Sequence, residues 1–259
     1  AHRQEWFDCA CCPPNLARLL ASLGQYIYSR GESDVAVHLY IQGSARLTLH
    51  GRNVLLRQQT RYPWEGTVTI LVDVDQPTAF GLWLRLPGWC RDATLRVNGE
   101  AVDVAAMVSN GYLRVERRWQ SGDRVELDLP MPVERMYAHP LVRQDAGCVA
   151  LQRGPLVYCL EEADNPIGPG GPMVHTVRLP KEAPLDARFA HDLLGGVTAI
   201  TGTARVADGT EWGRTLYRPE SVPLIPRPLT AIPYYAWDNR QPGQMRVWIH
   251  EAADDNMEV

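Results

Sequence analysis

Cys9-Ala10-Cys11-Cys12 packs three thiols into four positions near the start of the chain. Thiolates are soft ligands that hold zinc at about 2.3 Å, and neighbouring cysteines in a bent loop can place two sulfurs on one metal. Thiolates are also nucleophiles. Amide hydrogens and the positive dipole end of a helix starting directly after Cys12 favour the ionised sulfur. These sulfurs are therefore candidate metal ligands and candidate nucleophiles. The plain alternative is three small apolar residues packed beneath a helix start, since free cysteine is often simply buried. A closed zinc site needs about four ligands, yet the chain has no second CxxC, no HxxxH and no paired His and Cys. His2, Glu5 and Asp8 are near enough in sequence to contribute, although such residues are more often exposed than ligating. Cys90, Cys148 and Cys159 stand alone. That spacing is not a disulfide framework, and it points to buried thiols in a reducing environment.

The elements that would position these sulfurs follow at once. Pro13-Pro14-Asn15 leads into Leu16, Leu19, Leu20, Leu23 and Ile27, an apolar stripe at helical spacing. It predicts one helix running to about Arg30, closed by a left-handed Gly31. From Asp34 the period becomes two: Val35, Val37, Leu39 and Ile41, then Val68, Ile70, Val72 and Val74, then Phe80, Leu82, Leu84 and Leu86, and later Val125, Leu127 and Leu129. Asn98-Gly99, following Leu95-Arg96-Val97, is a hairpin signal because both residues accept positive φ. Short strands at near-regular intervals predict a β-sandwich or barrel over about 34–133. Pro130-Met131-Pro132 interrupts the pattern. A strand pair broken at Gly154-Pro155 opens a second β unit, with a Pro/Gly loop at 164–172 and strand character returning at 197–206 and 245–249.

Composition bounds the rest. The 259 residues are 45% hydrophobic, enough for a buried core, and 26 basic against 30 acidic residues give −4. A chain of that charge offers no long-range attraction to a polyanion, so nucleic acid is not an expected partner. Lys181 is the only lysine, and the arginines are scattered rather than blocked into a patch. No run of about 18 apolar residues occurs, which excludes a transmembrane helix and makes a membrane partner unexpected. The chain starts at Ala1 without an initiator Met or signal-peptide pattern, so its true start is expected upstream. A cytoplasmic location is favoured.

Residues 5–15 (EWFDCACCPPN) and the helix after them resemble the cysteine motif of glycoside hydrolase family 127, the β-L-arabinofuranosidase-like enzymes also designated DUF1680. Residues 149–161 (VALQRGPLVYCLE), 229–240 (LTAIPYYAWDNR) and 245–249 (MRVWI) resemble later segments of the same family, in the same order. The resemblance implies an (α/α)6 barrel carrying the active site, followed by two β-sandwich domains. This chain is then mainly β: residues 1–33 as the last helical segment of a truncated barrel, 34–133 as one sandwich and 134–259 as another. The resemblance further implies that Cys11 matches the nucleophile and that Cys11 and Cys12 match two zinc ligands. The other two, a Glu and a Cys, and the Glu that acts as general acid/base belong to the upstream barrel and have no counterpart here. Cys9 receives no role. Expected partners are an L-arabinofuranoside-type oligosaccharide or glycoconjugate, the missing N-terminal barrel and, in a homodimer, a second copy.

Other readings compete. A non-catalytic β-sandwich module binding carbohydrate or a partner protein would need no metal, and fold alone does not fix function. A thiol redox switch would need exposure and a resolving partner. Trp64, Trp83, Trp89, Trp119, Tyr234, Tyr235 and Trp237 have rings that can stack on sugars, but in β proteins they are expected to pack. Trp6, beside the cysteine loop, is the one expected to line a pocket. Residues 234–237 are expected to be structural, docking the second sandwich on the barrel. His38, His50, His139, His175, His191 and His250 show no ligand spacing.

Overall fold

The structure, a computed structural model, describes residues 3–166, 174–208, 212–213 and 215–252. It divides into two compact units: residues 6–131, and residues 3–5 together with the described residues from Pro132 onward. It is mainly β, and among the described residues no helix is long and apolar enough to cross a membrane.

The first unit runs α1 (Cys12–Ser22), α2 (Gly24–Ile27), β1 (Tyr28–Arg30), β2 (Asp34–Val37), β3 (Gly43–Leu49), β4 (Arg52–Thr60), β5 (Thr67–Val74) and β6 (Thr78–Arg85). It continues with β7 (Thr94–Val97), β8 (Glu100–Val102), β9 (Val108–Ser109), β10 (Tyr112–Trp119) and β11 (Asp123–Asp128). One sheet has the order β1-β2-β6-β10-β9 and the other β3-β4-β5-β11-β7-β8. The period-two pattern turns alternate side chains inward from both sheets, so Val35, Leu82 and Leu113 meet Leu56, Ile70 and Leu127 in one core, each at most 1% exposed. Each such side chain contributes about 1.5–3 kcal/mol by leaving water. Trp119, fully buried, satisfies its indole by donating Nε1–H to the Phe80 carbonyl at 2.9 Å. Asn98 and Gly99 join β7 to β8 with φ of 54° and 84°, the pair of positive values the two-residue turn requires.

Three expectations change here. The predicted helix to Arg30 ends at Ile27, with a break before Gly24, because residues 28–30 find backbone partners in β2: Tyr28 opposite Val37, Ser29 opposite Ala36 and Arg30 opposite Val35. Gly31 is not left-handed; its N–H closes a turn onto the Asp34 carbonyl at 2.9 Å. Leu39 and Ile41 lie beyond the end of β2 at Val37. The β3–β4 hairpin and β10 had no expectation attached to them.

The second unit contains β12 (Val133–Met136), β13 (Cys148–Arg153), β14 (Leu156–Glu161), β15 (Arg178–Pro180), β16 (Leu185–Ala190), β17 (Val197–Ala207), β18 (Leu224–Pro233), β19 (Met245–Arg246) and β20 (Ile249–Ala252). They form one sheet, β12-β13-β20-β15-β17-β18-β14-β19, with β16 on β17 and a further β13–β14 pairing that joins its two halves around one core. The hairpin at Gly154-Pro155 places Arg153 opposite Leu156, as its sequence indicates. In β18, Pro226 and Pro228 lie opposite Arg205 and Thr203 of β17. Two residues further on, the Thr230 N–H leaves β17 for Asn165 Oδ1 at 2.9 Å, so the prolines occupy positions whose amides would also point away from β17. Of the Pro/Gly loop, residues 167–172 lie outside the described residues.

Candidate functional site

Asp8, with φ of 56°, bends the chain just before the cysteines. Cys11 occupies the cap position of α1 with helical φ and ψ (−70°, −40°), and Cys12 is the first helical residue. Consecutive residues at a helix start diverge by about 100° around the axis, but side-chain rotation brings the two sulfurs to 3.5 Å. Cys9, Cys11 and Cys12 are exposed and unbridged. Asn15 donates from Nδ2 to the Cys11 carbonyl at 2.8 Å, and Arg18 donates to Asn15 Oδ1 at 3.1 Å. The i,i+4 and i,i+3 spacings of those two residues from Cys11 and Asn15 were the signal for this brace, and it went unread in the sequence.

The expected amide cradle is thin. Residues 13 and 14 are prolines and carry no N–H, so the first helical turn offers Cys12's amide where an ordinary turn would offer three. The sulfur of Cys11 makes no capping hydrogen bond. Glu5 and Asp8 are exposed and do not join the sulfurs, while His2 lies outside the described residues. Among the described residues, no three His, Cys, Asp or Glu side chains come together as a metal site. The helix itself has no buried residue; Leu16, Leu19 and Leu20 of its stripe, with Trp6 and Phe7 before it, are exposed.

The remaining thiols are buried. Burial foremost, and then the carboxylates of Glu161 and Asp164, push the Cys159 thiol up to about 12. Cys148 Sγ lies 3.2 Å from Nδ1 of His250. Packing accounts for Trp83, which donates to Asp34 Oδ1 at 3.0 Å beneath the Arg114 guanidinium, and for Trp89, stacked on Tyr62. Tyr234 and Trp237 stack on each other at 6.0 Å, whereas Trp64 stays half exposed. His38 bridges Ser29 Oγ and Tyr112 Oη.

Comparison with known proteins then bears on this geometry. Residues 34–131 match the β-L-arabinofuranosidase GH127 middle domain, and residues 133–250 match the glycoside hydrolase family 127 C-terminal domain. A non-reducing end β-L-arabinofuranosidase from Bifidobacterium longum subsp. longum is 38% identical over 262 residues, covering 96% of this chain. A GH127 β-L-arabinofuranosidase from Geobacillus stearothermophilus T6 superposes with a TM-score of 0.91 at 50% identity, over 97% of this chain. A further GH127 β-arabinofuranosidase structure gives 0.85 at 33% identity, over 98% of this chain. The chain spans 38% of the length of the curated relative and 39% and 41% of the two solved ones. With two models of one family lying side by side along most of its length, the chain belongs to glycoside hydrolase family 127, of which it carries the middle and C-terminal domains.

Proposed function

We propose that the chain is the C-terminal part of a retaining glycoside hydrolase acting on β-L-arabinofuranosides, with Cys11 as nucleophile and Cys11 and Cys12 as two ligands of a zinc ion. The observation that carries this reading is the pair of exposed, unbridged sulfurs 3.5 Å apart at the head of α1. Two thiolates on one tetrahedral zinc stand about 3.8 Å apart, so donor type and separation both suit the metal. Zinc, when bound, supplies the charge that keeps a coordinated thiol deprotonated near neutral pH. The Cys11 sulfur attacks the anomeric carbon as the bond to the leaving oxygen breaks and an acid protonates that oxygen; water then cleaves the carbon–sulfur bond, and configuration is retained. Asn15 and Arg18 steady the backbone from which the sulfur acts. The acid and the two further ligands are assigned to no residue of this chain. The names of the relatives support the sugar class. Six cysteines without a disulfide among them suit a reducing compartment, the cytoplasm. Residues 1–33 are read as the end of a catalytic helical barrel, and 34–133 and 134–259 as the domains that follow it.

Zinc titration of the 259-residue chain against a chromophoric chelator tests the ligands. One weakly held equivalent is expected, lost in Cys11→Ser and in Cys12→Ser and kept in Cys9→Ser. Zinc retained by the Cys11→Ser/Cys12→Ser double variant would refute the assignment. With p-nitrophenyl β-L-arabinofuranoside no useful turnover is expected from this chain, because general acid catalysis commonly supplies about 10²–10⁴-fold and its residue is not here. Substantial zinc-dependent turnover would overturn that part.

A further inference from the structure

In the first unit, three connections between strands close around a cavity of about 190 Å3. Residues 38–41 after β2 form one wall, Tyr62 and Pro63 between β4 and β5 a second, and Arg85 at the end of β6, with Pro87 beyond it, the third. No cysteine lines it. The walls are held from behind. Buried Gln58 donates from Nε2 to the Leu39 carbonyl at 3.2 Å. Tyr40, also buried, donates its hydroxyl to the Arg85 carbonyl and meets Tyr62 edge to face, with ring centroids 5.8 Å apart. Tyr62 in turn stacks on Trp89, and both ring nitrogens of His38 are engaged, by Tyr112 and Ser29. A cavity braced in this way is formed before any ligand arrives, the usual state of a small-molecule site.

Two features define what fits. The hydrogen-bonding side chains of the tyrosine and histidine walls are already committed to the protein, so a saccharide, hydroxylated on nearly every carbon, would lose water here without gaining partners. The guanidinium of Arg85 is the exception. Among the described residues it has no ion pair or hydrogen bond, yet its charge reaches the walls: burial foremost raises the Tyr40 and Tyr62 hydroxyls above their ordinary value, and Arg85 acts against that rise at both. A guanidinium offers donors only, in a planar fork that matches a carboxylate. An apolar cavity of about 150 Å3 holds a benzene molecule. The space here therefore accommodates one six-membered ring with a carboxylate at its edge.

We infer that this cavity is a binding site for a planar aromatic carboxylate, the ring lying between the tyrosines and prolines and the carboxylate accepting paired hydrogen bonds from Arg85. The site stands whether or not Cys11 is a nucleophile.

Protein-observed NMR titration of the 259-residue chain with benzoate tests it. A saturable shift of the Ile41 and Tyr62 resonances is expected. Benzamide, which keeps the ring and loses the charge, and galacturonate, which keeps the carboxylate on a hydroxylated ring, should each bind at least about tenfold more weakly. Arg85→Gln should weaken benzoate about tenfold. Arg118→Gln, at an exposed arginine of β10 opposite Ala79, should leave it unchanged. An unaltered Kd in Arg85→Gln, the same loss in Arg118→Gln, or benzamide binding as tightly as benzoate overturns the role of Arg85. Galacturonate binding as tightly as benzoate overturns the aromatic assignment, and the absence of a saturable benzoate shift at these residues overturns the site.

Discussion

Alkylation should divide the six thiols into two groups of three. Iodoacetamide reacts with thiolate, so rate follows both access and the ionised fraction. Cys9, Cys11 and Cys12 are exposed, while Cys90, Cys148 and Cys159 are 7%, 4% and 1% exposed. Cys159 allows the difference to be worked out. With its thiol pushed up to about 12, roughly one molecule in 10⁵ carries the thiolate at pH 7, against about 3% for a free thiol of ordinary pKa. Charge alone therefore slows it about 3,000-fold relative to a cysteine in an unstructured peptide in the same buffer, and burial adds the cost of opening β14. Peptide mass spectrometry at neutral pH should show modification confined to residues 9–12 until denaturant is added. Chelator should change that pattern only slightly, since the chain supplies two metal ligands rather than four. Preferential labelling of Cys90 or Cys159 in the native chain would refute the reasoning. Strong chelator dependence would show a completed zinc site.

Three further outcomes are expected. The proton that folded Cys159 retains stabilises the second unit fully below the unfolded thiol value of about 8.5, and this is lost as pH rises toward 12, at up to about 1.4 kcal/mol per pH unit; urea midpoints at pH 7, 9 and 10 should fall less steeply in Cys159→Ala. The Trp83 indole N–H chiefly, then the Ser33 hydroxyl and Arg114, hold the Asp34 carboxyl below its usual value. That stability is present above the unfolded value of about 3.9 and lost as pH falls through the folded one, so Asp34→Asn should flatten the acid limb of unfolding. So should Gly81→Ala, whose Cβ would fall 2.1 Å from Asp34 Oδ1. Leu16→Ser and Leu20→Ser, on the unburied face of α1, should change stability by less than about 0.5 kcal/mol, and amides of α1 should exchange faster than those of β5 or β6; equal protection would contradict the exposed helix face.

Strands with one buried and one wet face were legible because alternation is a local signal: Val68, Ile70 and Val72 announce β5 without knowledge of any neighbour. Residues 28–30 were not, since the helical stripe runs up to Ile27 with no stop signal before Gly31, and only pairing with β2 shows that the helix has already ended. The ten residues of β18 carried no strand expectation, since its prolines interrupt the alternation that marks the other strands. At the cysteines, residue type, adjacency and the two amide-less prolines of the first turn were plain, but the 3.5 Å approach of the two sulfurs was not, because it depends on side-chain rotation that no spacing specifies. The cluster of Glu161, Asp164 and Arg240 joins residues more than seventy positions apart, and no local pattern marks such a pairing.

Those prolines also decide how β18 behaves toward other chains. Residues 224–229 pair with β17 on one side, and β14 reaches β18 only at residues 231–233. Among the described residues no strand pairs with that second side of 224–229, where amides would meet any extended peptide, and a long strand of that kind is a template for intermolecular sheet growth. At 226 and 228 the donors are absent, so an incoming strand finds two acceptors without hydrogens between them and cannot propagate a ladder. Replacing both with valine would lengthen the regular edge by two donors and convert a self-limited sheet into one capable of seeding aggregates.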